Sequence, residues 1–430
     1  MIKTDGKILN KPELLAPAGD MEKLKVAFHF GADAVYVGLP DFSLRANTKN
    51  FNEEELTEAV TYTHDLQKKI YVALNIYFTP DQIDGLIYYL KFIKKTKPDG
   101  IILSDLGAVY LAKKYAQDIP IHISTQANTT NQYAVRLLED LGVNRIVLAR
   151  ELTLENIKKI KKTVKTDLET FVHGAMCIAY SGRCLLSAYM THNQLGSRDN
   201  EEKQLRSANQ GFCSHSCRWE FIIKEKSRLN QEYPVEQNSN GTYIFSSKDI
   251  CMIDHIDNLI EAGIGSFKIE GRMKSILYIS SIVRAYRQAI DNRYDKKINY
   301  DREEIEKELN VVSHREFCTG FFYDKPQDNP NITKGGIYKR KIRLAALIIG
   351  VNENRAILKI YNTFGIKDNI EYIAPFMKTI QIGKIEFYDK ENMLLDKINH
   401  NDTIEAIMFD KKGNFITPEK LDILRIESNF

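Results

Sequence analysis

Four cysteines occur within one stretch of 41 residues and could together hold a metal centre. They have the spacing C-x6-C-x28-C-x3-C and are Cys177, Cys184, Cys213 and Cys217. An iron-sulfur cluster or a tetrahedral zinc ion needs four soft thiolate ligands that converge on one point. Histidines in the same region leave mixed ligation open: His173, His192 and His215. The spacing therefore predicts a metal site built from two loops.

The width of the first interval bears on which metal is bound. Paired zinc ligands are usually about two to four residues apart, so C-x6-C favours an iron-sulfur cluster and leaves zinc as the alternative. The other two cysteines, Cys251 and Cys318, are predicted to be small buried side chains, because apolar residues surround them. Cys251 remains the replacement candidate for the fourth ligand.

Length and composition indicate a soluble, two-domain protein. The chain has 430 residues, of which 43% are hydrophobic and 27% charged. Its start has no apolar signal-peptide region, and no apolar run is long enough to span a membrane, so we expect a cytoplasmic protein with no membrane partner. Cysteines in that compartment are rarely disulfides, which favours metal binding or catalysis for the clustered four. The net charge of +3 permits an RNA partner without arguing for one.

The first part of the chain alternates apolar runs with segments of helical spacing such as 21–30, 53–66, 80–95 and 154–163. This pattern predicts an α/β fold in which eight parallel strands close into a TIM-like (β/α)8 barrel. An open, doubly wound sheet is the alternative. The predicted strands are 13–16, 34–39, 70–75, 100–104, 121–124, 145–149, 168–172 and 266–269.

Two further regions depart from this rhythm. Residues 193–240, approximately, are polar and carry two of the cysteines, which predicts a long insertion over the barrel mouth. Short alternating segments from residue 341 onward predict a small all-β barrel. We therefore expect a catalytic barrel domain at 1–330, with a helix near 301–309 in the connector, and a β-barrel domain at 336–430.

Polar residues follow most of the predicted barrel strands. The active site of such a barrel lies at the carboxyl ends of its strands, where the loops converge on the barrel axis. The residues predicted to be catalytic are Arg45, Asn75, Gln126, His173, Lys268 and Glu270. Those predicted to bind substrate are Arg150, Lys248, Asp249 and Arg272. The many cations suit a small dicarboxylate or a phosphate backbone, and we expect them to be rim charges that contribute little to stability.

Motifs of several enzyme classes are absent from the sequence. It contains no H-E-x-x-H, no G-x-S-x-G and no cysteine with papain-type or caspase-type surroundings, which argues against the common peptidase mechanisms. Ser181 and Ser187 lie near cysteines but have no evident partner base. Neither G-x-G-x-x-G nor G-x4-G-K-[ST] occurs, so the sequence supports no nucleotide-binding motif.

Ordered blocks of sequence resemble one known family. The stretch from Glu169 to Ser187, E-x-F-x-x-G-A-M-C-x3-S-G-x-C-x-x-S, is similar to the signature of peptidase family U32, whose better-characterised members are regarded as tRNA or rRNA hydroxylation proteins. Further blocks agree in order along the chain: ELLAPAGDMEKLKVAFHFGADAVYVGL, STQANTTN, SSKDIC, SFKIEGRMKS and HREFCTGFF. Such long ordered agreement is more specific than any short motif.

The resemblance implies a cofactor, a substrate and three functional classes. It implies a 4Fe-4S cluster, best aligned on Cys177, Cys184 and Cys213, with a fourth ligand that varies among relatives. It also implies formation of 5-hydroxyuridine at the wobble position of tRNA, with prephenate rather than dioxygen as the hydroxyl source. The alternatives are a collagenase-like peptidase and a non-catalytic iron-sulfur partner of a second, homologous U32 subunit.

Overall fold

The strands up to residue 325 form the framework that holds the cysteines. The structure is a computed structural model that describes residues 2–4, 7–43, 50–177, 179–188, 207–210, 213, 216–218, 236–238, 241–243, 247–325 and 342–427. In chain order the strands are β1 Ile2–Thr4, β2 Lys7–Leu9, β3 Glu13–Pro17, β4 Ala34–Gly38, β5 Lys69–Leu74, β6 Gly100–Leu103, β7 Ile121–Ile123, β8 Arg145–Val147, β9 Asp167–Ala175, β10 Glu236–Asn238, β11 Gly241–Tyr243, β12 Asp249–Cys251, β13 Ser266–Ile269 and β14 Phe317–Cys318.

Eight parallel strands, β3 to β9 and β13, close into one barrel. Closure is shown by β13, which pairs with β9 on one side and with β3 on the other, Phe267 lying opposite both Thr170 and Leu14. Each strand predicted from the sequence overlaps one of the eight. The TIM-like barrel is therefore confirmed, and closure excludes the open doubly wound sheet.

Most residues of the barrel strands are apolar because both faces of each strand are covered. All five residues of β4, AVYVG, are buried, as expected of a parallel strand packed inside and outside the barrel. The helices are α1 Met21–His29, α2 Glu53–Asp65, α3 Ile83–Thr96, α4 Leu106–Tyr115, α5 Gln132–Asp140, α6 Leu154–Lys161, α7 Ile256–Glu261, α8 Ile276–Tyr294 and α9 Arg302–Val311. Single 3-10 turns are Pro80–Gln82, Thr125–Ala127, Ala208–Gln210, Ser216–Arg218 and Ile253–His255.

Strand β9 is longer than its neighbours and carries the chain toward the first cysteine. Its last residues, His173 to Ala175, pair antiparallel with β12, which in turn pairs with β14. This extension continues β9 beyond the barrel proper and ends two residues before Cys177. In the same ladder Cys251 lies opposite His173.

Contacts divide the chain into two compact units. The first comprises Met1–Leu24, Asp33–Met273 and His314–Tyr338, and the second comprises Lys25–Ala32, Lys274–Ser313 and Lys339–Phe430. Residues 274–313, which the sequence pattern assigned to the first domain, are thus grouped with the second unit. Among the described helices, none is long and apolar enough to cross a membrane.

The second unit contains a closed antiparallel sheet, as expected. In spatial order six of its strands are Ile370–Ile373, Ile423–Glu427, Ile342–Asn352, Arg355–Ile360, Thr403–Asp410 and Thr379–Tyr388, and the first also pairs with the last, which closes the ring. The strand at Ile423–Glu427 was not predicted from the sequence. The strands are β15 Ile342–Asn352, β16 Arg355–Ile360, β17 Phe364–Gly365, β18 Ile370–Ile373, β19 Thr379–Tyr388, β20 Leu394–Leu395, β21 Lys397–Ile398, β22 Thr403–Asp410 and β23 Ile423–Glu427.

Candidate functional site

A cavity of about 160 Å³ opens at the carboxyl ends of the barrel strands. All four clustered cysteines line it. Six of the ten other predicted site residues line it as well: Asn75, Gln126, Arg150, Lys268, Glu270 and Arg272. The tertiary structure thus brings together residues that are up to almost 200 positions apart in sequence, as the general position of active sites in this fold predicts.

The cysteine thiols form a set of soft donors around this cavity. Cys177 is exposed, and the other three are half-buried. Burial raises the pKa of the Cys184 thiol, and nearby Cys177 and Cys213 raise it further, while the backbone amides of Leu186 and Ser187 lower it. Among the described residues, no group of three His, Cys, Asp or Glu side chains already has metal-binding geometry. The donor types suit an iron-sulfur cluster, and loading would require the thiols to move together and lose their protons.

Two contacts attach the segment between Cys177 and Cys184 to the barrel. The Glu151 carboxylate, which follows β8, accepts hydrogen bonds from the Ser181 amide at 2.8 Å and from its hydroxyl at 3.0 Å. The next residue, Gly182, has a φ of +72°, and a methyl group there would lie only 1.8 Å from the carbonyl oxygen of Gln126. Glycine is therefore required by both backbone conformation and space. Ser181 does have a carboxylate partner, contrary to the sequence-based expectation.

The insertion also reaches the barrel mouth. The backbone carbonyl of Asn209 accepts a hydrogen bond from the Tyr77 amide at 3.1 Å, just beyond β5. The Tyr77 hydroxyl in turn donates to the carbonyl oxygen of Gln126. Cys213 and Cys217 follow this contact in sequence and line the same cavity. Apart from 207–210, 213, 216–218 and 236–238, the predicted insertion lies outside the described residues.

Lys268 forms an ion pair with a buried carboxylate, that of Glu169. Its ammonium group lies 2.9 Å from Glu169 and 4.5 Å from the centre of the Tyr36 ring. Burial alone would raise the pKa of Glu169, but Lys268 and Arg145 outweigh it and lower that pKa. Glu169 therefore remains an anion inside the barrel and compensates the buried cations.

Arg150 and Glu270 form a second charged pair on the cavity. The Arg150 guanidinium donates a hydrogen bond to the Ala175 carbonyl at 2.8 Å and lies 3.7 Å from the Glu270 carboxylate. The guanidinium carbon also lies 4.0 Å from the centre of the Phe171 ring. The Nε atom of Arg150 has no hydrogen-bond partner within the described part of the chain. Arg150 is thus fixed in position beside the cavity.

Arg272 reaches the cavity through a gap left by a glycine. Its Nη2 donates to the Ser43 hydroxyl at 3.0 Å. A methyl group on Gly38 would lie 1.6 Å from the Arg272 Nη1, so a larger residue at the end of β4 would displace this guanidinium. Arg272 is 6% exposed and Lys268 only 4%. The two cations are therefore buried, whereas the sequence-based interpretation treated them as rim charges.

Asn75 and Gln126 both contact the hydroxyl of Ser124. Asn75 Nδ2 is 3.4 Å from the Ser124 hydroxyl oxygen, and the Gln126 backbone amide donates to the same oxygen at 3.4 Å. Both residues line the cavity at the ends of β5 and β7. Their amide groups can bind the polar edge of a base or a carbonyl group.

Three other predicted residues, all within the described part of the chain, do not line the cavity: His173, Lys248 and Asp249. His173 is 1% exposed, and its ring lies 5.4 Å from that of Phe317. Asp249 is buried in an ion pair with Arg315 at 2.6 Å. Lys248 pairs with Glu316 at 2.7 Å. Three predicted residues lie outside the described residues: Arg45, His192 and His215.

Sequence reasoning missed the buried network beneath the cavity. Arg145 contacts Glu13 at 2.5 Å, Asp167 at 2.7 Å and Glu169 at 3.3 Å. The usable signal was a charged residue inside a predicted strand, as at Glu169 in β9. Charged residues are rarely buried unless they are paired, so such a position indicates a partner elsewhere in the barrel.

Comparison with known proteins gives a family match across most of the chain. The model of peptidase family U32 matches residues 19–331. The chain is 35% identical to tRNA hydroxylation protein P1 of Bacillus subtilis (strain 168), over 94% of this chain and 93% of that protein. It is 33% identical to tRNA hydroxylation protein P of Escherichia coli (strain K12), over 85% and 86%. It is also 36% identical to an uncharacterized protease of Methanocaldococcus jannaschii, over 90% and 95%.

Proposed function

The chain belongs to peptidase family U32, and we propose that it is a tRNA modification enzyme of that family. It hydroxylates C5 of the wobble uridine to give 5-hydroxyuridine, with prephenate rather than dioxygen as the source of the hydroxyl group. The names of two relatives similar over most of their length support the reaction class. The observation that carries the proposal is that four cysteines, two residues with amide side chains and three cations line the same cavity.

In this proposal, Cys177, Cys184, Cys213 and Cys217 hold one 4Fe-4S cluster. All four line the cavity, whereas Cys251 pairs with β9 in the added ladder and does not. Replacing the C5–H bond of a uridine by a C–O bond needs redox steps that side chains cannot supply, and a bound cluster would provide one-electron transfer. Zinc on the same ligands is the alternative.

The cations of the cavity bind the second substrate. Arg150, Lys268 and Arg272 are held by neighbouring groups, so they can receive the two carboxylates of prephenate with little loss of side-chain entropy. Asn75 and Gln126 supply amide groups that can hydrogen-bond to the edge of the uracil ring. Glu270, which pairs with Arg150, would accept the proton released from C5.

The RNA enters as a single nucleotide turned out of its stack. The cavity lies at the carboxyl ends of the strands, so a base within a stacked anticodon cannot bring its C5 edge to it. Phosphates of the anticodon remain outside and contact basic side chains. Affinity for tRNA should therefore fall as salt rises, because phosphate neutralisation releases counterions.

Nucleoside mass spectrometry of tRNA tests this function. The gene is deleted together with any paralogue that could mask the loss, and the strain is complemented with the wild-type chain or with Arg150→Gln. We expect 5-hydroxyuridine-derived nucleosides to disappear, to return with the wild type and to return weakly with the variant. Unchanged nucleosides in the deletion strain would refute the assignment.

The same purified protein separates the alternatives. A peptidase would hydrolyse a protein substrate without metal, and Ser181→Ala or a single cysteine change would abolish that activity. The Glu151–Ser181 hydrogen bond is the feature that makes Ser181 the serine to replace. A non-catalytic iron-sulfur partner would restore the nucleosides only together with a second, homologous U32 subunit.

A further inference from the structure

Glu169 lies between two buried cations inside the barrel. One carboxylate oxygen is 2.9 Å from the Lys268 ammonium group, and the other is 3.3 Å from the Arg145 guanidinium. Glu169 is 1% exposed. Because each oxygen is occupied by a different cation, the carboxylate cannot rotate without losing a buried charge interaction.

The network extends from Glu169 toward the opposite end of the barrel. Arg145 begins β8 and is held by Glu13 at the start of β3 and by Asp167 at the start of β9. Those contacts fix the guanidinium, which in turn fixes Glu169. A chain of charges thus runs through the barrel interior, from its amino-terminal end to Lys268 at the cavity.

Lys268 lines the cavity and has hydrogen-bond donors left for a ligand. The ammonium group lies 4.5 Å from the centre of the Tyr36 ring and 5.6 Å from that of Phe171, and the residue lines the cavity. Within the described part of the chain, Glu169 is its one hydrogen-bonding partner. An ammonium group has three donors, so two remain for the rings and the cavity.

We propose that Glu169 is a positioning residue, which fixes the Lys268 ammonium group at the cavity so that it can bind an anionic group of the substrate. A lysine has a flexible four-carbon stem, and only a fixed partner keeps its charge at one point. The inference rests on the proposed function solely for the identity of the anion, prephenate.

Prephenate binding to the metal-loaded protein, measured by calorimetry, tests the inference. Glu169→Gln removes a negative charge near the cavity, and this change by itself should strengthen the binding of an anion. A loss of prephenate affinity in this variant would therefore show that Glu169 acts by positioning Lys268. We expect Glu169→Gln and Lys268→Met each to weaken binding by at least about tenfold. The double variant should bind no more weakly than Lys268→Met, because the two residues act as one unit.

Glu308→Gln is the matched control. Glu308 is also a buried carboxylate between two cations, 2.5 Å from Arg284 and 2.8 Å from Arg425, in the second unit. Its replacement should lower the thermal midpoint as Glu169→Gln does but leave prephenate affinity within about twofold. The inference would be overturned if Glu169→Gln bound prephenate at least as tightly as the wild type. It would also be overturned if the losses of affinity in the two single variants added up in the double variant.

Two further measurements keep the test decisive. If Glu169→Gln does not fold, Glu169→Asp retains the charge but withdraws the carboxylate by one methylene, and the same loss of affinity is expected. If the wild type binds no prephenate, the proposed co-substrate fails, and crystal structures of wild type and variant decide the positioning role. Lys268 Nζ should then leave its place 4.5 Å from the Tyr36 ring; an unchanged position refutes the inference.

Discussion

The Glu151 carboxylate accepts hydrogen bonds from both the amide and the hydroxyl of Ser181, at 2.8 and 3.0 Å. Glu151 follows a barrel strand, whereas Ser181 lies between the first two cysteines of the cluster. A carboxylate with two such donors fixes a loop in both position and orientation. The pair therefore sets where Cys177 and Cys184 stand relative to the barrel mouth.

Glu151→Ala should impair cluster loading. Without the carboxylate the loop between Cys177 and Cys184 is less fixed, and loss of such supporting contacts typically lowers metal affinity by about 10- to 100-fold. Iron and sulfide content after limited anaerobic reconstitution measures the effect. Glu139→Ala is the control, since Glu139 accepts hydrogen bonds from two backbone amides at 2.7 and 2.6 Å on a distant part of the barrel. Equal iron content in the two variants would contradict the anchoring role.

Gly182→Ala should disrupt the same loop for a different reason. An alanine there needs a left-handed φ of +72°, and its methyl group would lie 1.8 Å from a backbone carbonyl that cannot move easily. Gly413→Ala is the control: Gly413 has a similar φ of +82°, and a methyl group there would have no atom within 4 Å. This variant therefore measures the backbone penalty alone, about 1 to 2 kcal/mol. We expect Gly182→Ala to lose iron and the control to retain it. Retained iron in both variants would show that the loop can shift.

The cysteine set is tested by single replacements with serine. Each of Cys177, Cys184, Cys213 and Cys217 should be required for the brown colour and iron content of anaerobically purified protein, since a 4Fe-4S cluster takes one thiolate per iron. Cys251→Ser and Cys318→Ser are matched controls and should keep the cluster. Retention in Cys217→Ser with loss in Cys251→Ser would move the fourth ligand. Stoichiometric zinc without iron or sulfide would replace the cluster by a zinc site.

His122 should make stability depend on pH. Burial, and next the charge of Arg145, lower the pKa of this imidazole to about 3. The unfolded chain binds the proton near pH 6.5 and the folded chain does not. The free energy of unfolding therefore falls as pH falls from about 6.5 toward 3, by up to about 1.4 kcal/mol per pH unit. His122→Asn cannot take up the proton. Denaturant unfolding at about pH 7.5 and about pH 5.5 should therefore show the wild type losing more stability than the variant; parallel losses would contradict the prediction.

Much of the barrel was predictable because its signals are local. Strands buried on both faces are mostly apolar, and the helices between them repeat apolar residues on one side, so both patterns are visible within short windows. The general rule that the carboxyl ends of barrel strands carry the active site then selected six residues that do line the cavity, Lys268 and Arg150 among them. The four clustered cysteines were equally visible, because residue type and spacing are properties of the sequence; that they hold a metal stays a prediction.

Partners that lie far apart in sequence were decided only by the tertiary structure. Lys248 and Asp249 follow the same polar pattern as Lys268, yet they pair with Glu316 and Arg315 away from the cavity. Glu169 pairs with Lys268, which is 99 positions away in the sequence, and Arg145 pairs with Glu13, which is 132 positions away. The charge of a residue and its place in a strand determine that it needs a partner, but closure of the barrel determines which side chain comes within hydrogen-bond distance. A contact of this kind depends on the relative placement of whole strands, which no short stretch of sequence encodes.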